Sequence, residues 1–128
     1  MKNIFQKIVL ISGILNFPIA LGLMIPALIN PNPETLITTV VLGAFMMFAG
    51  ASLIWAYNDI NQRASLVVWN GIVRLIGVCT VIYTASISTV GMDQMLITTM
   101  DFLLFLIFTI GSVKFTGKSF VSLLLGKN

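Results

Sequence analysis

Apolar residues run along this chain in four long blocks, separated by three short polar segments and followed by a short tail. The blocks cover about residues 6–29, 35–57, 64–87 and 95–113. An α-helix rises about 1.5 Å per residue, so each block is about long enough to cross a hydrocarbon core of about 30 Å. The pattern predicts an all-α fold: one transmembrane domain over residues 1–128, an integral membrane four-helix bundle with up-down topology. The polar segments are "NPNPE" (Asn30–Glu34), "NDINQR" (Asn58–Arg63) and "STVGMDQ" (Ser88–Gln94). Each proline of the first disfavours helix in the residue before it. The tail, residues 114–128, is too short to cross again. Its Phe120, Val121, Leu123, Leu124 and Leu125 are expected at the membrane interface, with Lys118 and Lys127 toward lipid headgroups.

Two residue types modify this outline. Pro18 lies inside the first block and has no N–H to donate to the Ile14 carbonyl, so a kink is expected there. Pro26 is expected to bend or end the last turn. Gly43 and Gly50, at heptad spacing in the second block, predict a thin ridge where another helix packs closely, in this chain or in a second copy.

Composition agrees with the pattern. The chain is 58% hydrophobic and 9% charged, with a mean hydropathy of +1.04. Soluble domains carry about a quarter charged residues, so a chain this poor in charge cannot clothe a soluble surface. Histidine is absent, which excludes His-ligated haem, His-rich zinc sites and a Ser-His-Asp triad. The lone Cys79 sits within a block and cannot pair inside the chain. No metal site, cofactor or catalytic residue is expected. The net charge of +3 is not gathered into a basic, aromatic surface, so nucleic acid is not an expected partner.

Charge also predicts the threading. Lys2, Lys7, Arg63, Lys114, Lys118 and Lys127 fall on one side of a four-span protein. The opposite turns carry Glu34 and Asp93 and neither Lys nor Arg. Positive residues in short flanks stay cytoplasmic, so a multi-pass protein of the cell membrane with both termini cytoplasmic is expected. The first block lacks a cleavage site of the A-x-A kind and is long for a signal sequence, so it is expected to stay as a helix. Trp55 and Tyr57 fall at the cytoplasmic edge of the second block, where amphipathic rings are favoured.

Arg74 breaks the apolar pattern. It lies about 15 Å into the third block, close to the membrane midplane. A guanidinium facing lipid there costs between about 3 and over 10 kcal/mol. It is therefore expected to face inward and to meet Asp101 of the fourth block, directly or through water or Asn70. Asn70, Arg74, Gly77, Val81 and Thr84 share one helical stripe, and Thr98 lies on the same face as Asp101. Ser12, Asn16 and Ala20 form a small polar stripe on the first block, with Asn16 about as deep as Arg74. The candidate ligand-binding set is thus Arg74, Asp101, Asn70, Asn16 and Thr98. It implies a partly hydrated cavity at mid-depth with Arg74 as its floor, suited to an anionic or carbonyl-bearing ligand. The bland alternative is a buried ion pair that fixes helix register.

The segment "GAFMMFAGASLIWAYNDINQRASLVVWNGIVRLIGV", about the middle third of the chain, resembles the DoxX-like group of small four-helix membrane proteins. The shared features are a glycine-bearing second span, a polar turn after an aromatic end, and a third span with a basic residue. The resemblance implies a four-helix fold in a bacterial inner membrane and carries over no catalytic residue.

Three functional classes follow. The first is a non-enzymatic membrane protein. It binds a lipidic or small ligand in the polar pocket or serves as a subunit of a larger assembly, with lipids, a homo-oligomer or a membrane protein as partners. The second is a small oligomeric transporter with Asp101 as coupling residue, against which Arg74 suits a fixed pair better than a proton carrier. The third is a membrane-embedded isomerase or reductase using Asp101 and a tyrosine as acid and base.

Overall fold

The computed structural model describes residues 1–127; Asn128, the last residue of the expected tail, lies outside the described residues. The four blocks are helices: α1 (Lys2–Ile29), α2 (Leu36–Asn58), α3 (Ile60–Ile87) and α4 (Met92–Thr116). A fifth, short helix, α5 (Phe120–Leu124), follows. The four long helices are each long and apolar enough to cross a membrane.

The helices outrun the apolar blocks at their polar ends. α1 begins at Lys2 and α3 at Ile60, four residues earlier than hydropathy alone predicts for each. Hydropathy marks where lipid-soluble chain begins, whereas backbone hydrogen bonding continues through good helix formers such as Gln62 and Arg63. The "NDINQR" turn therefore shrinks to Asp59. Pro26 does not end α1; the Asn30 N–H bonds its carbonyl at 2.9 Å and the last turn closes normally. Helix also runs through Pro18.

Local chemistry sets the other boundaries. The Asn32 side chain accepts the Glu34 N–H at 3.0 Å, and its carbonyl accepts from Leu36 at 2.8 Å, which folds "NPNPE" into a tight lead into α2. Gly117 ends α4 at φ +70°, a left-handed cap that glycine adopts without strain. Asp93 in the first turn and Lys114 in the last complement the α4 dipole.

The helices form two units, Met1–Asp59 and a second beginning at Ile60. The first is a hairpin of α1 on α2. Its glycines are the close-contact points. A Cβ built on Gly50 would lie 2.7 Å from the Gly13 carbonyl oxygen, and one on Gly13 would lie 2.9 Å from the Gly50 oxygen. One heptad away, Gly43 faces Met24 and the Ala20 carbonyl. The ridge expected from Gly43 and Gly50 is thus occupied by α1 of the same chain.

The second unit is a hairpin of α3 on α4 with α5 folded back onto it. Leu123, 1% exposed, joins Ala64 and Val68 in a small core flanked by Ile72 and Val113. The Trp69 indole donates to the Leu124 carbonyl at 3.1 Å. The tail is therefore docked through one buried leucine, while Phe120, Val121 and Leu125 remain exposed. Lys118 reaches the Asn61 carbonyl at 3.3 Å instead of pointing away from the protein. The Ser119 hydroxyl caps α5 by accepting the Ser122 N–H at 3.2 Å.

Candidate functional site

The chemistry of the second unit is concentrated where α3 and α4 face each other. Gly71 lets them approach; a Cβ there would sit 3.4 Å from the Phe108 Cβ and 3.5 Å from Phe105. One turn further along α3, the Arg74 guanidinium donates to Asp101 Oδ1 as an ion pair. Its Cζ also stands 5.9 Å from the centroid of the Phe108 ring, within cation–π range. Arg74 and Asp101 side chains are 18% and 29% exposed, so the pair is enclosed on most sides. The pair is neutral as a whole, which is the low-cost way to hold two charges in apolar surroundings.

Beyond the pair the helices diverge. A Cβ built on Gly77 meets nothing within 4 Å. The space holds a groove of about 280 Å³, walled on α3 by Gly77, Val78, Val81 and Thr84. Its α4 side is Gln94, Ile97, Thr98 and Asp101, and Val90 of the connecting loop closes the end. Ligand pockets for drug-sized molecules begin near 300 Å³. This groove suits a headgroup or a small molecule, with any chain emerging from it.

The expected site residues are distributed over both units. Arg74 and Asp101 meet directly. Thr98 lines the groove, but its hydroxyl donates to the Gln94 carbonyl of its own helix at 2.7 Å. Asn70 is part-buried and its amide donates to the Leu66 carbonyl at 3.0 Å. Asn16 lies in the first unit, 6% exposed, beside Gly50. The cavity itself departs from expectation. It lies on the loop side of the ion pair, and Asp101, not Arg74, is the charged group in its wall. The reason is steric: Phe105 and Phe108 fill the α3–α4 space at Gly71, and only at Gly77 does it open.

Sequence reading missed Thr109 and Ser112. Their hydroxyl oxygens are buried with no hydrogen-bond partner among the described residues, and Ser112 is fully buried. Ser112 lies on the helical face that carries Asp101 and Phe108, at i+11 and i+4, and that shared face is the signal by which the sequence marks it.

Comparison with known protein families, with curated proteins and with solved structures gives no match to this chain.

Proposed function

We propose that this chain is a non-enzymatic membrane protein that binds a lipidic or small ligand in the α3–α4 groove. The observation that supports it most is the divergence of two apolar helices at Gly77 to leave a groove ending on the carboxylate of Asp101. A purely structural ion pair needs no open volume beside it. The transporter reading has less support, because Asp101 is held by Arg74. In this proposal the chain is a small four-helix protein of the DoxX-like kind, on the strength of residues 43–78.

The binding test uses gently extracted protein and native mass spectrometry. Wild type is expected to carry a non-covalent adduct, and Gly77→Leu, which places a side chain in the groove, is expected to be bare. A wild type that is bare in nanodiscs as well as detergent would overturn the proposal.

The proposed threading places all four long helices across the membrane in alternating directions, both termini cytoplasmic. Its support is the six-to-none division of Lys and Arg between the two sides. In a Cys79→Ala background, Asn32→Cys should react with an impermeant thiol reagent from outside the cell and Ser119→Cys only after permeabilisation. The reverse pattern would invert the topology.

A further inference from the structure

We propose that the α3–α4 groove selects an uncharged hydrogen-bond donor, the hydroxyl headgroup of a single- or double-chain lipid alcohol, and not an anion, a carbonyl or an amine. The inference rests on the ligand-binding reading above and specifies its chemistry.

The groove's polar groups are mostly acceptors with their protons already committed. The Thr98 hydroxyl donates to the Gln94 carbonyl at 2.7 Å, and the Thr84 hydroxyl donates to the Thr80 carbonyl at 2.9 Å. Their oxygens keep lone pairs but have no proton to offer. Asp101, a residue of the groove wall, accepts from Arg74 through Oδ1, and its carboxylate keeps further acceptor capacity. The guanidinium, the strong donor of the site, is turned to the carboxylate and the Phe108 ring and is not part of the groove wall. Gln94, in the first turn of α4 at the loop end of the groove, carries an amide that can donate, but beside Asp101 an entering anion or bare carbonyl would meet acceptors. A donor would be matched.

Charge then separates the two kinds of donor. Arg74 already neutralises Asp101, so an ammonium entering the groove gains little net attraction and stands near a guanidinium. It also loses its hydration in an apolar channel walled by Val78, Val81 and Ile97. A hydroxyl avoids both penalties, and it forms its bond to a charged acceptor, the stronger class of hydrogen bond. The apolar walls take the first methylenes of the chain. The volume of about 280 Å³ corresponds to about nine waters at about 30 Å³ each, enough for a headgroup and the start of a chain.

The test is competitive binding to the full-length protein in phosphatidylcholine nanodiscs, read by native mass spectrometry. The probes are oleyl alcohol, oleyl methyl ether, oleylamine and oleate, which share a chain and differ in the head. Oleyl alcohol is expected to bind about tenfold or more tightly than the ether, as one hydrogen bond to a charged group implies. Amine and oleate should be no better than the ether. The Arg74→Leu/Asp101→Leu double variant removes the acceptor without leaving an unpaired charge. It should bind alcohol and ether alike, with unchanged helicity by circular dichroism. Equal binding of alcohol and ether by wild type, or preference for amine or oleate, overturns this inference but leaves a ligand-binding groove standing. Retention of the alcohol preference by the double variant assigns it elsewhere and also overturns it. Binding of no probe at all by wild type, with no endogenous adduct, removes the ligand-binding reading itself.

Discussion

Asp101→Leu is expected to lower the stability of the protein by about 3–5 kcal/mol, because it strands the Arg74 cation among apolar groups. Arg74→Leu should do the same to the Asp101 carboxylate. In a soluble protein, exposures of 18% and 29% would blunt these costs by letting water reach the orphaned charge. Here the uncovered surface of α3 and α4 is overwhelmingly apolar, with Val73, Ile76, Ile97, Met100 and Phe102 exposed around the pair. In a membrane that exposure is to hydrocarbon, not to water, and the cost of a lone guanidinium is at least about 3 kcal/mol. The Phe108 ring offsets about 2 kcal/mol at most. Arg74→Leu/Asp101→Leu should therefore be less destabilised than either single variant, since both charges leave together. Reversible unfolding in mixed micelles, followed by the fluorescence of Trp55 and Trp69, gives the four stabilities of the cycle. If the double variant loses the sum of the two single losses, the contact carries no coupling energy and the pair is incidental.

The same residues show why the ion pair was legible in the sequence while the groove's position was not. Arg74 and Asp101 are charges inside apolar blocks, and a charge in that setting must find its opposite. Two blocks in sequence order, each long enough to span, place the two charges within reach. Which of them faces a cavity depends instead on where two helices touch and where they part. That is decided by Gly71 against Phe108 and by the empty space at Gly77. Both glycines look alike in sequence, and nothing in "NGIVRLIGV" distinguishes the one that closes from the one that opens. Thr84 and Thr98 were legible as positions on the right faces. Their hydroxyl protons are spent on carbonyls four residues back, a common habit of threonine in helices, and this leaves both hydroxyls of the groove wall as acceptors alongside the Asp101 carboxylate.

The fold was legible to the extent that it follows from hydropathy. Four helices stand where the four blocks stand, since a long run of apolar side chains with saturated backbone hydrogen bonds is the structure lipid tolerates. The ends were less legible, because Lys2 and Gln62 are poor lipid solutes but adequate helix formers. The tail was read as apolar residues spread along an interface. In the structure Ser119 starts a new helical turn, and Leu123 is drawn into the small core with Ala64 and Val68. The burial of one leucine among five apolar tail residues is a matter of helical phase, which a five-residue helix is too short to reveal.

The hairpin of α1 and α2 gives the second large effect. Gly50→Ala is expected to destabilise by about 1–3 kcal/mol and Gly50→Leu by more, because the new side chain meets backbone, not a flexible neighbour. The Cβ alone would stand 2.7 Å from the Gly13 carbonyl oxygen and 3.0 Å from the Asn16 Cβ. Helix propensity acts in the opposite direction, since alanine gains up to about 1 kcal/mol over glycine within a helix. The clash outweighs it, because α1 can relieve the contact only by moving away from α2 along its length. That movement would also loosen Gly13 against Leu53 and Ala20 against Gly43. Gly22→Ala is the matched control on α1: a Cβ there meets nothing within 4 Å, so only the propensity gain remains. The two substitutions should thus shift the unfolding midpoint in opposite directions, Gly50→Ala downward and Gly22→Ala upward or not at all. A Gly50→Ala variant as stable as wild type would mean that the two helices do not pack backbone to backbone. In that case the Gly43–Gly50 ridge would be free to serve a contact with a second copy of the chain.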